Sequence, residues 1–206
     1  MNESMDRLLS TLAVGMAAFA STNIDDLLLL SSLFVDTEFR TSSVIVGHFL
    51  GMSFLVLVSI LAAFFTFMFP PGWLSLLGFA PLFLGMNRLW KLLKRRREKN
   101  QIASYGRDFV GKERLRFTWV RSEVLLTTLL TVANGGDNLS VYIPLFSVQP
   151  ASIPFYSLVF AIMTVLWCVF GYHLTHHGVW SDWLKRYGRF VIPFVFIAIG
   201  LNVFRH

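Results

Sequence analysis

Two short acidic motifs carry the residues that could do chemistry. Thr22-Asn23-Ile24-Asp25-Asp26-Leu27 sits inside an apolar run from Leu8 to Val35, and Asn134-Gly135-Gly136-Asp137-Asn138-Leu139 sits inside a second one. An acidic side chain at membrane depth costs about 2.5–3.5 kcal/mol on insertion scales. A bound cation or proton is the simplest way to offset that. Asp25, Asp26 and Asp137 supply three carboxylates, and Asn23, Asn134 and Asn138 supply amide oxygens. Clustered carboxylates repel one another unless a proton or a doubly charged cation sits among them. Proton and metal would then compete for one site, which is the basis of proton-coupled exchange. Oxygen ligands alone favour hard ions such as Ca²⁺, Mg²⁺ or Mn²⁺.

Softer donors are sparse. His48 lies in Gly47-His48-Phe49-Leu50-Gly51, and Cys168, Met16, Met52 and Met163 also lie in apolar runs. His48 falls near one end of its helix and reads as an interfacial histidine, kept as an accessory ligand. Cys168 reads as a small packing residue, and Asn87 and Asn202 as interhelical hydrogen-bonding groups. His173, His176 and His177 read as part of a wet interfacial loop. The bland alternative for the acids is a structural hydrogen-bonding role, which a symmetry-related repeat of acids disfavours.

The elements that must position these residues are membrane helices. The 206-residue chain is 55% hydrophobic with 21 Phe, and only 15% of residues are charged. Mean hydropathy is +0.61. Thr41 to Asn87 contains no Asp, Glu, Lys or Arg over 47 residues, and Asn138 to Ser181 none over 44. A span needs about 20 apolar residues, so each run holds two. Six spans are expected, at about 8–34, 43–69, 73–93, 118–146, 152–175 and 190–204, with a turn at Pro70-Pro71-Gly72.

The net charge of +6 is local: of 18 Lys and Arg, 12 lie between Arg88 and Arg121. A cytoplasmic loop, including Lys94-Arg95-Arg96-Arg97, explains that cluster, and nucleic acid is excluded as a partner. The expected orientation has the central basic loop cytoplasmic and both termini outside. No cleaved signal peptide is read at Met1 to Arg7. The single cysteine excludes a disulfide framework.

The motifs are also related to each other. Asp25 through Phe34 aligns without gaps on Asp137 through Phe146, ten residues in each case. A weaker match pairs Pro81 to Asn87 with Pro193 to Asn202. Three spans per half is an odd number, so the halves must insert in opposite directions, as in many secondary transporters. The expected organisation is therefore all-α: residues 1–93 as the first three-helix repeat, 94–117 as the basic loop and 118–206 as the second repeat. Spans 1 and 4 are long, at about 40 Å if continuous, against a hydrocarbon core of about 30 Å. Asn134-Gly135-Gly136 is a poor helix interior, so both spans are expected to be interrupted at the acidic motifs, freeing backbone carbonyls.

At these residues the chain resembles the cadmium-resistance transporter family, within the lysine-exporter superfamily of six-span carriers. The resemblance rests on Thr22-Asn23-Ile24-Asp25-Asp26 and Asn134-Gly135-Gly136-Asp137-Asn138, and length, the three-plus-three plan and the basic loop also fit. It implies export of Cd²⁺, and of Zn²⁺ or another divalent ion, from a bacterial cytoplasm across the inner membrane. It also implies that Asn23, Asp25, Asp26, Asn134, Asp137 and Asn138 bind the metal. The expected function is a secondary-active antiporter that exchanges metal for protons at Asp25, Asp26 and Asp137. The expected partners are the metal cation, protons and the lipid bilayer, with a homodimer as the assembly to test. No prosthetic group is expected beyond the transported ion.

The alternative is an exporter of a cationic amino acid or other small organic cation, with Tyr142 beside the acids for cation–π contact. An enzyme is not expected: the chain has no His-Glu-x-x-His and no phosphate-binding Gly-x-x-x-x-Gly-Lys-Ser/Thr.

Overall fold

The structure, a computed structural model, describes residues 2–36, 38–66, 68 and 122–176, with isolated residues between 79 and 90 and at 197 and 201. The expected third and sixth spans fall largely outside the described residues. So do the Pro70-Pro71-Gly72 turn, the basic loop 94–117, His177, Pro81, Pro193 and Asn202.

All regular elements among the described residues are helical. They are α1 (Asn2–Thr22), α2 (Ile24–Val35), α3 (Thr41–Thr66), α4 (Glu123–Asn134), α5 (Gly136–Val148) and α6 (Ile153–His176), with a 3-10 turn at Pro150–Ser152 before α6. α3 and the Pro150–Thr175 segment are each long and apolar enough to cross a membrane. The Leu8–Thr22 and Ile24–Val35 helices make a third span if taken as one broken span. Exposed Phe54, Leu57, Leu61, Phe64 and Phe65 line α3, and exposed Leu158, Ile162, Val165, Val169 and Phe170 line α6. Apolar surface this continuous is what membrane-spanning helices expose.

Both expected interruptions are present. α1 and α2 part at Asn23 with a 54° bend, and α4 and α5 part at Gly135. In the gapless motif alignment Thr22 pairs with Asn134 and Ile24 with Gly136, so the two breaks fall at equivalent positions. Their backbones also match: φ −105°, ψ 10° at Asn23 and φ −77°, ψ 13° at Gly135. Neither needs a positive φ. A Cβ at 135 would meet the end of the Leu55 side chain, which would have to move aside.

The broken helices pack crosswise. α1 and α2 lie on α6, while α4 and α5 lie on α3. Small residues permit the close approaches. A Cβ on Gly47 would stand 2.6 Å from both the Val124 carbonyl oxygen and Thr127 Cβ, and one on Gly51 would stand 2.7 Å from Thr131 Cβ. Gly47 and Gly51 are one turn apart, as are Thr127 and Thr131, so one small-residue stripe on α3 receives one β-branched stripe on α4. On the other side Gly171 of α6 meets Leu30 of α2, and Gly15 of α1 meets Tyr156 of α6. Near one end of the bundle, the Arg40 backbone N–H donates to Glu123 Oε2 at 2.9 Å, tying the α2–α3 connection to the start of α4. Ser122 caps α4, its Oγ accepting the Leu125 N–H at 3.4 Å.

A second cluster fills the space between α1, α5 and α6. Tyr142, Phe146, Tyr156 and Phe160 are fully buried and pack ring against ring at tilted angles, with Tyr142 and Phe160 centroids 4.4 Å apart. This aromatic wall stands directly behind the first helix break.

Candidate functional site

Asn23 is the hub. It is fully buried. Its Nδ2 donates to the Phe19 carbonyl (2.8 Å), to Thr22 Oγ1 (2.9 Å) and to the Tyr142 hydroxyl (2.9 Å). Its Oδ1 accepts from Asn138 Nδ2 at 3.3 Å, and its carbonyl accepts the Trp167 indole N–H at 2.7 Å. One residue at the break thus joins α1, α5 and α6. The Tyr142 hydroxyl also lies 3.2 Å from Thr22 Oγ1.

Side chains at the break bond back onto the last turn of α1. Ala18 O accepts from Ser21 Oγ and Thr22 Oγ1, and Phe19 O accepts from the Asn23 backbone and side chain.

Four buried side-chain atoms lack a hydrogen-bond partner among the described residues: Asp26 Oδ2, Asn138 Oδ1, His48 Nε2 and Thr127 Oγ1. Unpartnered buried polar atoms are rare and each costs about 1–3 kcal/mol. Two of them belong to the acidic motifs. Asp26 is 1% exposed, and its other oxygen accepts from Asn134 Nδ2 at 2.5 Å, linking α2 to the end of α4. Asn138 is also 1% exposed, and its Nδ2 points to Asn23 Oδ1 and to Met52 Sδ at 3.6 Å. With its donor so engaged, its oxygen faces elsewhere without a partner.

Asp25 and Asp26 occupy the first turn of α2, and Asp137 the first turn of α5. These are the helix ends where the macrodipole favours negative charge. Because the break falls before them, Asp25 and Asp26 follow regular helical spacing and diverge: Asp26 is buried while Asp25 and Asp137 are half-buried. Among the described residues no three His, Cys, Asp or Glu side chains form a metal-holding group. Two contacts join the motifs from one half to the other, Asp26 with Asn134 and Asn23 with Asn138.

His48 departs from the interfacial reading. It is fully buried between α3 and α4, and its Nδ1 lies 3.1 Å from Thr131 Oγ1. Position along a helix gives depth but not facing, and the neighbouring Gly47–Thr127 contact turns this residue inward. Cys168 is buried beside Leu29, Leu30 and Leu33, in keeping with packing. His173 is exposed, and Asn87 is half-buried. Sequence reasoning missed Thr131 and Trp167. Their partners lie 83 and 144 residues away along the chain, and no local signal marks them.

A family model for the cadmium resistance transporter matches residues 19–206. The match begins in the last turn of α1 and takes in both breaks. No curated protein and no solved structure matches the chain.

Proposed function

The chain belongs to the cadmium resistance transporter family, and we propose that it exports Cd²⁺ from the bacterial cytoplasm in exchange for protons. The observation that carries this reading is the meeting of two aligned helix breaks around unpartnered, fully buried oxygens on Asp26 and Asn138. A divalent cation supplies the partner both atoms lack. Asn23 and Asn134 hold these two side chains in place. Asp25 and Asp137, half-buried at the starts of α2 and α5, complete the set of carboxylates that exchange metal for protons. Zn²⁺ and other divalent ions share the path.

The reading extends to six spans in two inverted repeats. Its support is the crosswise packing, in which each broken span lies on the unbroken span of the other half. A two-fold axis in the membrane plane would exchange these two pairs. Rocking of one half against the other would then open the site to each side in turn. The Arg40–Glu123 contact puts the α2–α3 connection and the start of α4 at one end of the bundle, as a shared cytoplasmic side requires.

The organic-cation alternative is not favoured. The Tyr142 ring is packed on Phe160 and its hydroxyl is engaged by Thr22 and Asn23. No open aromatic face is left at that residue for a cation.

Coupling is tested in acid-interior, inside-out membrane vesicles carrying a pH-sensitive dye. Addition of Cd²⁺ should discharge the proton gradient in wild-type vesicles and fail to do so with Asp26→Asn. Cd²⁺ accumulation without any change in the gradient would overturn proton exchange.

A further inference from the structure

We propose that α3 supplies the soft half of the metal site: Met52 Sδ and His48 Nε2 ligate Cd²⁺ beside the oxygens of Asp26 and Asn138. This deepens the reading of the same site given above and rests on it.

Met52 and His48 are four residues apart, so they share a face of α3 one turn from each other. Both are buried, at 2% and 0% exposure. Met52 Sδ already lies in the site, 3.6 Å from the amide of Asn138, whose oxygen has no partner. A thioether is a weak hydrogen-bond acceptor, so that contact is readily given up to a metal. His48 has the arrangement of a ligating histidine. One ring nitrogen is engaged by a protein oxygen, Thr131 Oγ1 at 3.1 Å, and the other is buried without a partner. In the tautomer where Nδ1–H donates to Thr131, Nε2 keeps a bare lone pair. Metal-bound histidines are oriented by this kind of outer contact on the second nitrogen.

The frame around the pair is stiff. Gly47 and Gly51 flank His48 and press α3 against Thr127 and Thr131. Thr131 lies one turn before Asn134, which holds Asp26. The same two turns of α4 therefore orient the nitrogen donor and the carboxylate. An all-oxygen set favours Ca²⁺, Mg²⁺ or Mn²⁺, whereas thioether and imidazole shift preference to softer ions. The mixed set resolves the mismatch between an oxygen-rich acidic motif and a soft substrate. It assigns selectivity to α3, which lies outside both motifs.

The test is cadmium K-edge X-ray absorption on the purified full chain loaded with Cd²⁺, combined with transport assays in proteoliposomes. A Cd–S shell is expected in wild type and in Cys168→Ala, and should be lost in Met52→Leu, a volume-conserving change that keeps the packing. Met52→Leu and His48→Gln should each lower the transport preference for Cd²⁺ over Mn²⁺, by roughly 10–100-fold. An oxygen-only first shell in a wild-type protein that transports Cd²⁺ overturns this inference and leaves the transport reading intact. A Cd–S shell that survives Met52→Leu also overturns it. A wild-type protein that neither binds nor transports Cd²⁺ overturns the transport reading and this inference with it.

Discussion

Asp26→Asn separates a structural acid from a substrate-binding one. Asp26 is buried with one oxygen bonded to Asn134 and the other without a partner. As an ionised group inside a span it costs about 2.5–3.5 kcal/mol. The isosteric amide lacks that charge, but its own burial still costs about 1–3 kcal/mol. The Asn134 bond changes from a charge-assisted one to a neutral one, a loss of about 1 kcal/mol. These terms nearly cancel, so the metal-free variant should melt within about 4 °C of wild type. Cd²⁺ at about 100 times its Kd stabilises a binding-competent chain by about 2.7 kcal/mol. That raises the wild-type Tm by about 5–10 °C at 2–4 °C per kcal/mol, and the variant should show no such rise. The assay is thermal unfolding in detergent, with and without Cd²⁺. If the acid instead held the fold as half of a buried charged contact, its neutralisation would cost about 3–5 kcal/mol without any metal present. A metal-free variant destabilised on that scale, or one that keeps the full Cd²⁺-induced rise, would refute the reasoning.

Other expectations follow from packing and hydrogen bonding. Gly47→Ala puts a Cβ 2.6 Å from the Val124 carbonyl oxygen, a backbone atom that cannot step aside. It should destabilise by about 1–3 kcal/mol in thermal unfolding, and Thr127→Ser should not rescue it. Gly135→Ala meets only the Leu55 side chain, so its cost should shrink when combined with Leu55→Ala, as a double-mutant cycle would show. Tyr142→Phe removes a hydroxyl shared by Thr22 and Asn23, while Asn23 Nδ2 keeps the Phe19 carbonyl and Thr22 Oγ1. Its stability loss should be about 0.6 kcal/mol by unfolding, and no more than about 1.7, as for interhelical bonds in a membrane, with flux reduced rather than abolished.

The helix breaks were legible in the sequence because their causes are local. Asn-Gly-Gly disfavours a helix interior, and both spans are too long for a straight crossing; that pointed to interruptions at the acidic motifs but not to Asn23 itself. The spans corresponding to α3 and α6 were legible from uninterrupted apolar runs. What was not legible is facing. Asp25 and Asp26 differ by about 100° on a helix, and only packing against α4 decides that Asp26 is the one turned inward. His48 was misread for the same reason: its depth along α3 says nothing of Thr131 on another helix. The role of Asn23 depends on Tyr142, Asn138 and Trp167, all more than 100 residues away. Burial set by such distant contacts leaves no periodicity to read.

The most direct test of metal export through the acidic breaks is ion flux in inside-out vesicles with an imposed proton gradient. Uptake of Cd²⁺, Zn²⁺, Mn²⁺, Ca²⁺ and lysine would be compared between wild type, Asp25→Asn, Asp26→Asn and Asp137→Asn. Gradient-dependent Cd²⁺ uptake in wild type, lost when the acids are neutralised, is the predicted result. Lysine uptake without metal uptake, or Cd²⁺ uptake unchanged in all three variants, would contradict it.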